Sequence, residues 1–141
     1  HLNGEYAFVL VDHAEKQIFL VRDPVGNKPL YYYQEKNDLF VSSEIKSFKS
    51  IFKLQFDPAV LMQKLAMQYH EPKNTLFQDI KQVEPGKIVC FNYETGQLSV
   101  STFFDLYKDK KQKYSSKKMM LLLKQSVARR IDKQNPAIAL S

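Results

Sequence analysis

Four apolar runs of strand length crowd into the first 42 residues, and each is closed by a polar tip or a Pro/Gly turn. They are Tyr6-Ala-Phe-Val-Leu-Val-Asp12, Gln17-Ile-Phe-Leu-Val21, Leu30-Tyr-Tyr-Tyr33 and Leu39-Phe-Val-Ser42. Runs so short and so closely spaced predict β-hairpins and leave no room for long helices. The first run is almost continuously apolar, which predicts a strand buried on both faces. His13–Lys16 and Glu35–Asp38 are polar enough for hairpin tips. Asp23-Pro-Val-Gly-Asn27 is a turn, since Pro fixes φ and Gly permits positive φ. Successive Tyr side chains at 31–33 point to opposite faces, so one face of that strand is predicted to be core.

Helical signals follow. Asp57-Pro58 is an N-cap with Pro at the first helical position, and Val60, Leu61, Leu65 and Tyr69 recur at helical spacing until Pro72. Lys87-Ile-Val-Cys-Phe91 and Gln97-Leu-Ser-Val100 predict another hairpin around Glu94-Thr-Gly96. Ser116 can cap a second helix, in which Met119, Met120, Leu123, Val127 and Ile131 repeat at steps of three and four. Pro136–Leu140 is a short strand candidate. A β-rich region to residue 104, a linker over 105–115, and the opening of an α/β unit over 116–141 are the expected domains.

The charge follows this division. Residues 1–100 carry 11 Lys and Arg against 12 Asp and Glu, whereas 101–141 carry 10 against 3. The basic run Lys108–Lys118 is therefore either an electrostatic footprint for nucleic acid or acidic lipid, or a solvated linker. Its position between β-rich and helical segments favours the linker, and no nucleic-acid module stands beside it. Nucleic acid and membrane are thus not expected partners. No apolar run approaches the ~20 residues that cross a bilayer. The single cysteine excludes an internal disulfide framework and a cysteine-rich zinc site. Both ends read as interior to a longer polypeptide, since the chain opens at His1 without an initiator Met and closes within an apolar run.

Few residues could carry chemistry. Arg22 and Asp23 can pair locally to hold their turn. Lys28 lies between a glycine turn and Pro29, so its backbone direction is set and its cation is aimed from a loop tip. Glu44 and Lys46 flank Ile45 after a strand; they are surface charge at a helix start or a polar network at the mouth of a cleft. Cys90, between Val89 and Phe91, is expected to be a small core hydrophobe rather than a nucleophile. His1, His13 and His70 have no partner at metal-ligand spacing. Neither G-x-x-x-x-G-K-[ST] nor G-x-G-x-x-G is present. Alone, these residues give a scaffold without a complete active site.

Three segments in order nevertheless resemble one family. Leu2-Asn-Gly-Glu-Tyr-Ala-Phe8, Arg22-Asp-Pro-Val-Gly-Asn-Lys-Pro-Leu-Tyr-Tyr32 and Ser43-Glu-Ile-Lys46 stand as they do in glutamine-hydrolysing asparagine synthetases, members of the class II amidotransferases. Thr75-Leu-Phe77, Ile80 and Pro85-Gly86 are similar to later parts of that family's glutaminase domain, and the helix and strand after Ser116 to the entry of its synthetase domain. The resemblance implies an α+β fold: part of a layered antiparallel sheet of the N-terminal-nucleophile type with helices, plus the first helix and strand of the synthetase domain. It implies a cytoplasmic, ATP-dependent ligase using glutamine, aspartate and Mg2+-ATP, with a homodimer left open. It places the family's nucleophilic Cys and its glutamine-binding residues before Leu2, so these 141 residues are expected to be inactive alone. Leu140 and Ser141 match the start of the nucleotide loop, and Arg22, Lys28, Glu44 and Lys46 match positions facing the synthetase domain or the ammonia path. Asn27 departs from the aliphatic residue usual there, and the Pro136 region is shifted by one place. Those departures leave room for a ligase or cyclase acting on another carboxylate, or for a non-catalytic domain of the same fold.

Overall fold

The computed structural model describes residues 2–69, 71–105, 108 and 115–131. The chain forms two compact units, residues 1–108 and 109–141.

The first unit is built from two antiparallel sheets. Strands β1 (Ala7–Asp12), β2 (Gln17–Arg22), β6 (Lys87–Asn92) and β7 (Leu98–Thr102) form one, in the order β1-β2-β6-β7. Strands β3 (Tyr31–Glu35), β4 (Asp38–Ser42) and the two-residue β5 (Lys81–Gln82) form the other, in the order β4-β3-β5. The expected hairpins are present at β1/β2, β3/β4 and β6/β7. The short β5 has no apolar pattern of its own; it pairs with β3 through Tyr31↔Gln82 and Tyr32↔Lys81, and Lys81 also bridges to Asn74.

The register explains the core. Val9, Leu20, Val89 and Val100 lie in one row across the four-stranded sheet, and Val11, Ile18, Phe91 and Leu98 in the next but one. Period-two alternation puts both rows on one face. Leu20 and Val89 on that face are buried with Leu30 and Val83, and Tyr32, Leu39 and Val41 of the second sheet pack against them. Tyr33 points the other way and packs against Phe52 with tilted rings, their centroids 4.3 Å apart. The triplet of tyrosines therefore divides as alternation requires.

One expectation fails. The run Tyr6–Asp12 is not buried on both faces: Val9, Leu10 and Val11 are 43, 54 and 47% exposed. Among the described residues its strand is an edge strand that pairs only with β2, and of its residues only Ala7 packs against the buried cluster. Continuous apolarity reports what a strand could bury, not its place in the sheet. The opposite face of the four-stranded sheet carries Phe8, Leu10, Phe19, Val21 and Ile88 around a shallow hollow.

A 3-10 turn at Ile45–Ser50 buries Phe48, and helix α1 (Pro58–Met67) buries Val60. Asp57 caps α1 as expected, accepting from the N–H groups of Ala59 and Val60 at 3.0 and 3.1 Å. The helix ends at Gln68 in the left-handed region, four positions before Pro72 was expected to stop it. In the second unit, helix α2 (Ser116–Arg130) is capped by Ser115, one residue earlier than predicted. The strand candidate 136–140 lies outside the described residues. No described helix is long and apolar enough to cross a membrane.

Candidate functional site

The chain passes between the two sheets at two turns. One runs from the end of β2 to β3 through residues 23–30, and the other returns from β5 to β6 through residues 83–86. Arg22 and Asp23 sit where the turns meet, 7% and 1% exposed.

Asp23 uses every polar atom it has. Its Oδ1 accepts from the backbone N–H groups of Val25, Gly26 and Asn27 at 3.0, 2.7 and 3.2 Å, and its Oδ2 from that of Lys28 at 3.1 Å. Its own N–H donates to the Tyr6 carbonyl at 2.9 Å, and its carbonyl accepts from the N–H of Gly86 at 3.1 Å. Burial by itself would raise the carboxyl's pKa, but the four N–H donors favour the anion and hold it below the ordinary value.

Arg22 takes the carbonyls of the same turns. Nε donates to Lys28 O at 2.8 Å, Nη2 to Gly26 O at 2.6 Å and Nη1 to Val83 O at 2.8 Å. With the Gln82 amide turned so that its NH2 reaches Pro72 O, its oxygen accepts from Nη1 and Nη2 at 3.0 and 3.3 Å. All five guanidinium donors then have an acceptor. Burial lowers the Arg22 pKa, and Asp23 and Tyr31 partly offset that. The expected local pairing is thus real but indirect, because each residue holds the turn through backbone groups. Gly26 completes it: φ is +75°, and a Cβ there would come within 2.6 Å of the Pro85 ring.

Lys28 leaves this turn toward solvent. Its Nζ lies 3.6 Å from Glu5 Oε2, with the two side chains 55% and 43% exposed. Glu44 and Lys46 are elsewhere, at the 3-10 turn after β4, and pair with each other at 2.5 Å. Their bond raises the Lys46 pKa. Glu44 precedes the turn without capping it through its side chain, and the two side chains are 56% and 82% exposed. The pair is exposed at the start of the 3-10 turn. The structure groups Arg22 with Lys28 and places Glu44 and Lys46 in a separate, exposed pair. Leu140 and Ser141 lie outside the described residues, as do His1 and His70.

Cys90 is half-buried in β6 opposite Phe19 and Ser99, neither of which is a base. No group of His, Cys, Asp and Glu among the described residues could hold a metal ion. Asp23 holds the turn as its residue type predicts, whereas Gln82 and Val83 as partners of Arg22, and Glu5 as the partner of Lys28, carry no local sequence signal. Pro85-Gly86 was the visible sign of the second turn, but nothing local links it to a residue some sixty positions earlier.

Comparison with known proteins decides the family. A family model described as a glutamine amidotransferase domain matches residues 1–104. The chain belongs to that family. It is 30% identical to asparagine synthetase [glutamine-hydrolyzing] 1 of Bacillus subtilis over 104 residues, which is 73% of this chain and 16% of that protein. It is 37% identical to the amidase chry2 of Gibberella zeae over 92 residues, 64% of the chain and 13% of the amidase. The amidase chyE of Penicillium rubens is 39% identical over 87 residues, 61% of the chain and 12% of the amidase. The amidotransferase chain thus spans about an eighth to a sixth of the length of these curated relatives.

Proposed function

We propose that these residues are the later part of the glutaminase half of an ATP-dependent ligase that amidates aspartate with ammonia from glutamine, releasing AMP and diphosphate. The observation that carries it is the amidotransferase match over residues 1–104, joined to 30% identity with a glutamine-hydrolysing asparagine synthetase over 73% of the chain. In this reading a thiol outside the sequence attacks the glutamine amide, backbone donors hold the oxyanion, and ammonia leaves to reach an activated carboxylate. Excluding water keeps ammonia unprotonated and nucleophilic. ATP and Mg2+ belong to the synthetase half, where Leu140 and Ser141 would begin the nucleotide loop. A cytoplasmic location accompanies the reading.

Lys28 has a place in this chemistry as a residue along the ammonia path. A positive charge there disfavours ammonium ion by repulsion and leaves neutral ammonia free to pass. Arg22 supports the same path from within the turn. Replacing Lys28 by Ala in the full-length enzyme should lower the product amide made per glutamine hydrolysed. An unchanged ratio would remove Lys28 from the path.

A second acceptor is favoured by one observation: identity to the amidase chry2 is 37%, above the 30% to the synthetase. Another carboxylate could then stand in place of aspartate. The deciding experiment incubates the full-length enzyme with glutamine, Mg2+-ATP and aspartate, and follows asparagine, AMP and diphosphate together. Formation of all three, dependent on aspartate, supports the synthetase. Glutamine hydrolysis with AMP formation only on another acid moves the assignment to that acid. Absence of glutamine hydrolysis would reduce the chain to a non-catalytic domain of this fold.

A further inference from the structure

We infer that Arg22 and Asp23 are positioning residues for the Lys28 ammonium, each holding one flank of its backbone. The inference rests on the placement of Lys28 along the ammonia path. Asp23 Oδ2 accepts from the Lys28 N–H at 3.1 Å, and Arg22 Nε donates to the Lys28 carbonyl at 2.8 Å. Both peptide groups around the Lys28 Cα are therefore held by buried, charged partners. Pro29 adds a third restraint, because a proline narrows the backbone of the residue before it. Fixing N–H, C=O and the following ring fixes the direction in which the Cα–Cβ bond leaves.

The alternative source of that aim is the ion pair with Glu5. Its separation is 3.6 Å and both side chains are about half exposed. Such a pair holds little, because water and salt screen it. The turn's own bonds are charge-assisted and buried, which makes them the stronger restraint. The turn also holds the chain next to Glu5. The Asp23 N–H donates to the carbonyl of Tyr6, the next residue along, at 2.9 Å. This backbone bond ties the strand entry that carries Glu5 to the same turn.

The clasp further ties that aim to the second crossing, through Arg22 to Val83 O and through Asp23 O to the Gly86 N–H. A shift of either crossing would move Lys28 directly. Its direction is in this sense a property of the junction between the sheets, and the exposed loop tip inherits it.

The test is a double-variant cycle in the full-length enzyme, read as product amide per glutamine hydrolysed. Asp23→Asn is the informative change, because it can keep the Oδ1 contacts while turning an NH2 toward the Lys28 N–H. Lys28→Ala should lower the ratio by about threefold or more, Asp23→Asn should lower it comparably, and the pair should add nothing to Lys28→Ala alone, as expected for residues acting as a unit. Thr75→Val serves as the control for lost stability alone. Thr75 is buried and bonds to the Phe77 and Ile80 carbonyls away from the turn, so its variant should melt earlier at an unchanged ratio. If Asp23→Asn does not fold, Arg22→Lys carries the same test, since it keeps the charge and loses the fork.

An unmoved ratio in Asp23→Asn beside a lowered one in Lys28→Ala overturns the positioning role and leaves Lys28 on the path. Multiplying effects in the double variant also overturn it. An unmoved ratio in Lys28→Ala removes the path reading, and this inference with it.

Discussion

The Arg22–Lys28 turn and the Ser43–Lys46 segment look alike as sequence. Each follows a strand, each carries an acid and a base two to five positions apart, and each matches a family segment. The structure separates them. In the first, Arg22 and Asp23 are buried and bonded to backbone on both crossings. In the second, Glu44 and Lys46 meet each other in solvent. Charge pairs in water contribute little, whereas buried charges must be fully partnered and are costly to strand. What distinguishes a built site from a decorated surface is therefore the destination of each polar atom, and not the residue types.

The sharpest way to break this contrast is Arg22→Met. The substitution keeps an apolar stem and leaves the carbonyls of Lys28, Gly26 and Val83 without their donor. Unsatisfied buried groups cost about 1–3 kcal/mol each. Relaxation and water recover part of that, so a loss of about 3 kcal/mol is expected in denaturant unfolding of the whole chain. A loss below about 1 kcal/mol, within the range of ordinary surface substitutions, would show that the crossings hold without the clasp.

Asp23 sharpens the contrast through pH. Its folded-state pKa lies below the unfolded value, so its stabilisation is fully present above about pH 4 and is lost as pH falls through the lower folded value. Asp23→Asn should cost about 2 kcal/mol at neutral pH, the worth of charge-assisted hydrogen bonds. The gap between the two proteins should narrow as the pH drops below 4. A gap that stays constant from pH 7 to pH 3 would mean that the carboxylate's charge contributes nothing to the turn.

How much of this was legible depends on distance along the chain. The hairpins, the Asp57-Pro58 cap and the turn at Asp23–Asn27 are local, and their residues announce them. The division of Tyr32 and Tyr33 between core and outer face followed from alternation alone. The burial of β1 was misread because being an edge strand is decided by which strands pair, and that information is not in Tyr6–Asp12. Asp23 was read as a partner for Arg22 because adjacency in sequence is visible. The meeting of Arg22 with Val83, 61 positions later, arises only when both crossings are folded. Two residues of β5 carry too little pattern to be seen, yet they bring Gln82 to the guanidinium.

The smallest expected effect belongs to Glu44→Gln. Its bond to Lys46 is short, but 56% and 82% of the two side chains meet solvent. The substitution keeps the shape and a polar acceptor and removes only the charge. No backbone group depends on it, because the Glu44 side chain does not cap the turn that follows. The unfolding midpoint should not move measurably, and the Lys46 pKa should fall back toward its ordinary value once its bonded carboxylate is neutral. Titration of the lysine amine by NMR reads the second quantity independently of the first. A large fall in stability would reverse the comparison, because it would mean that an exposed pair carries structure as the buried clasp does. An unmoved midpoint with a shifted Lys46 would show that the same type of contact can be electrostatically real and structurally idle.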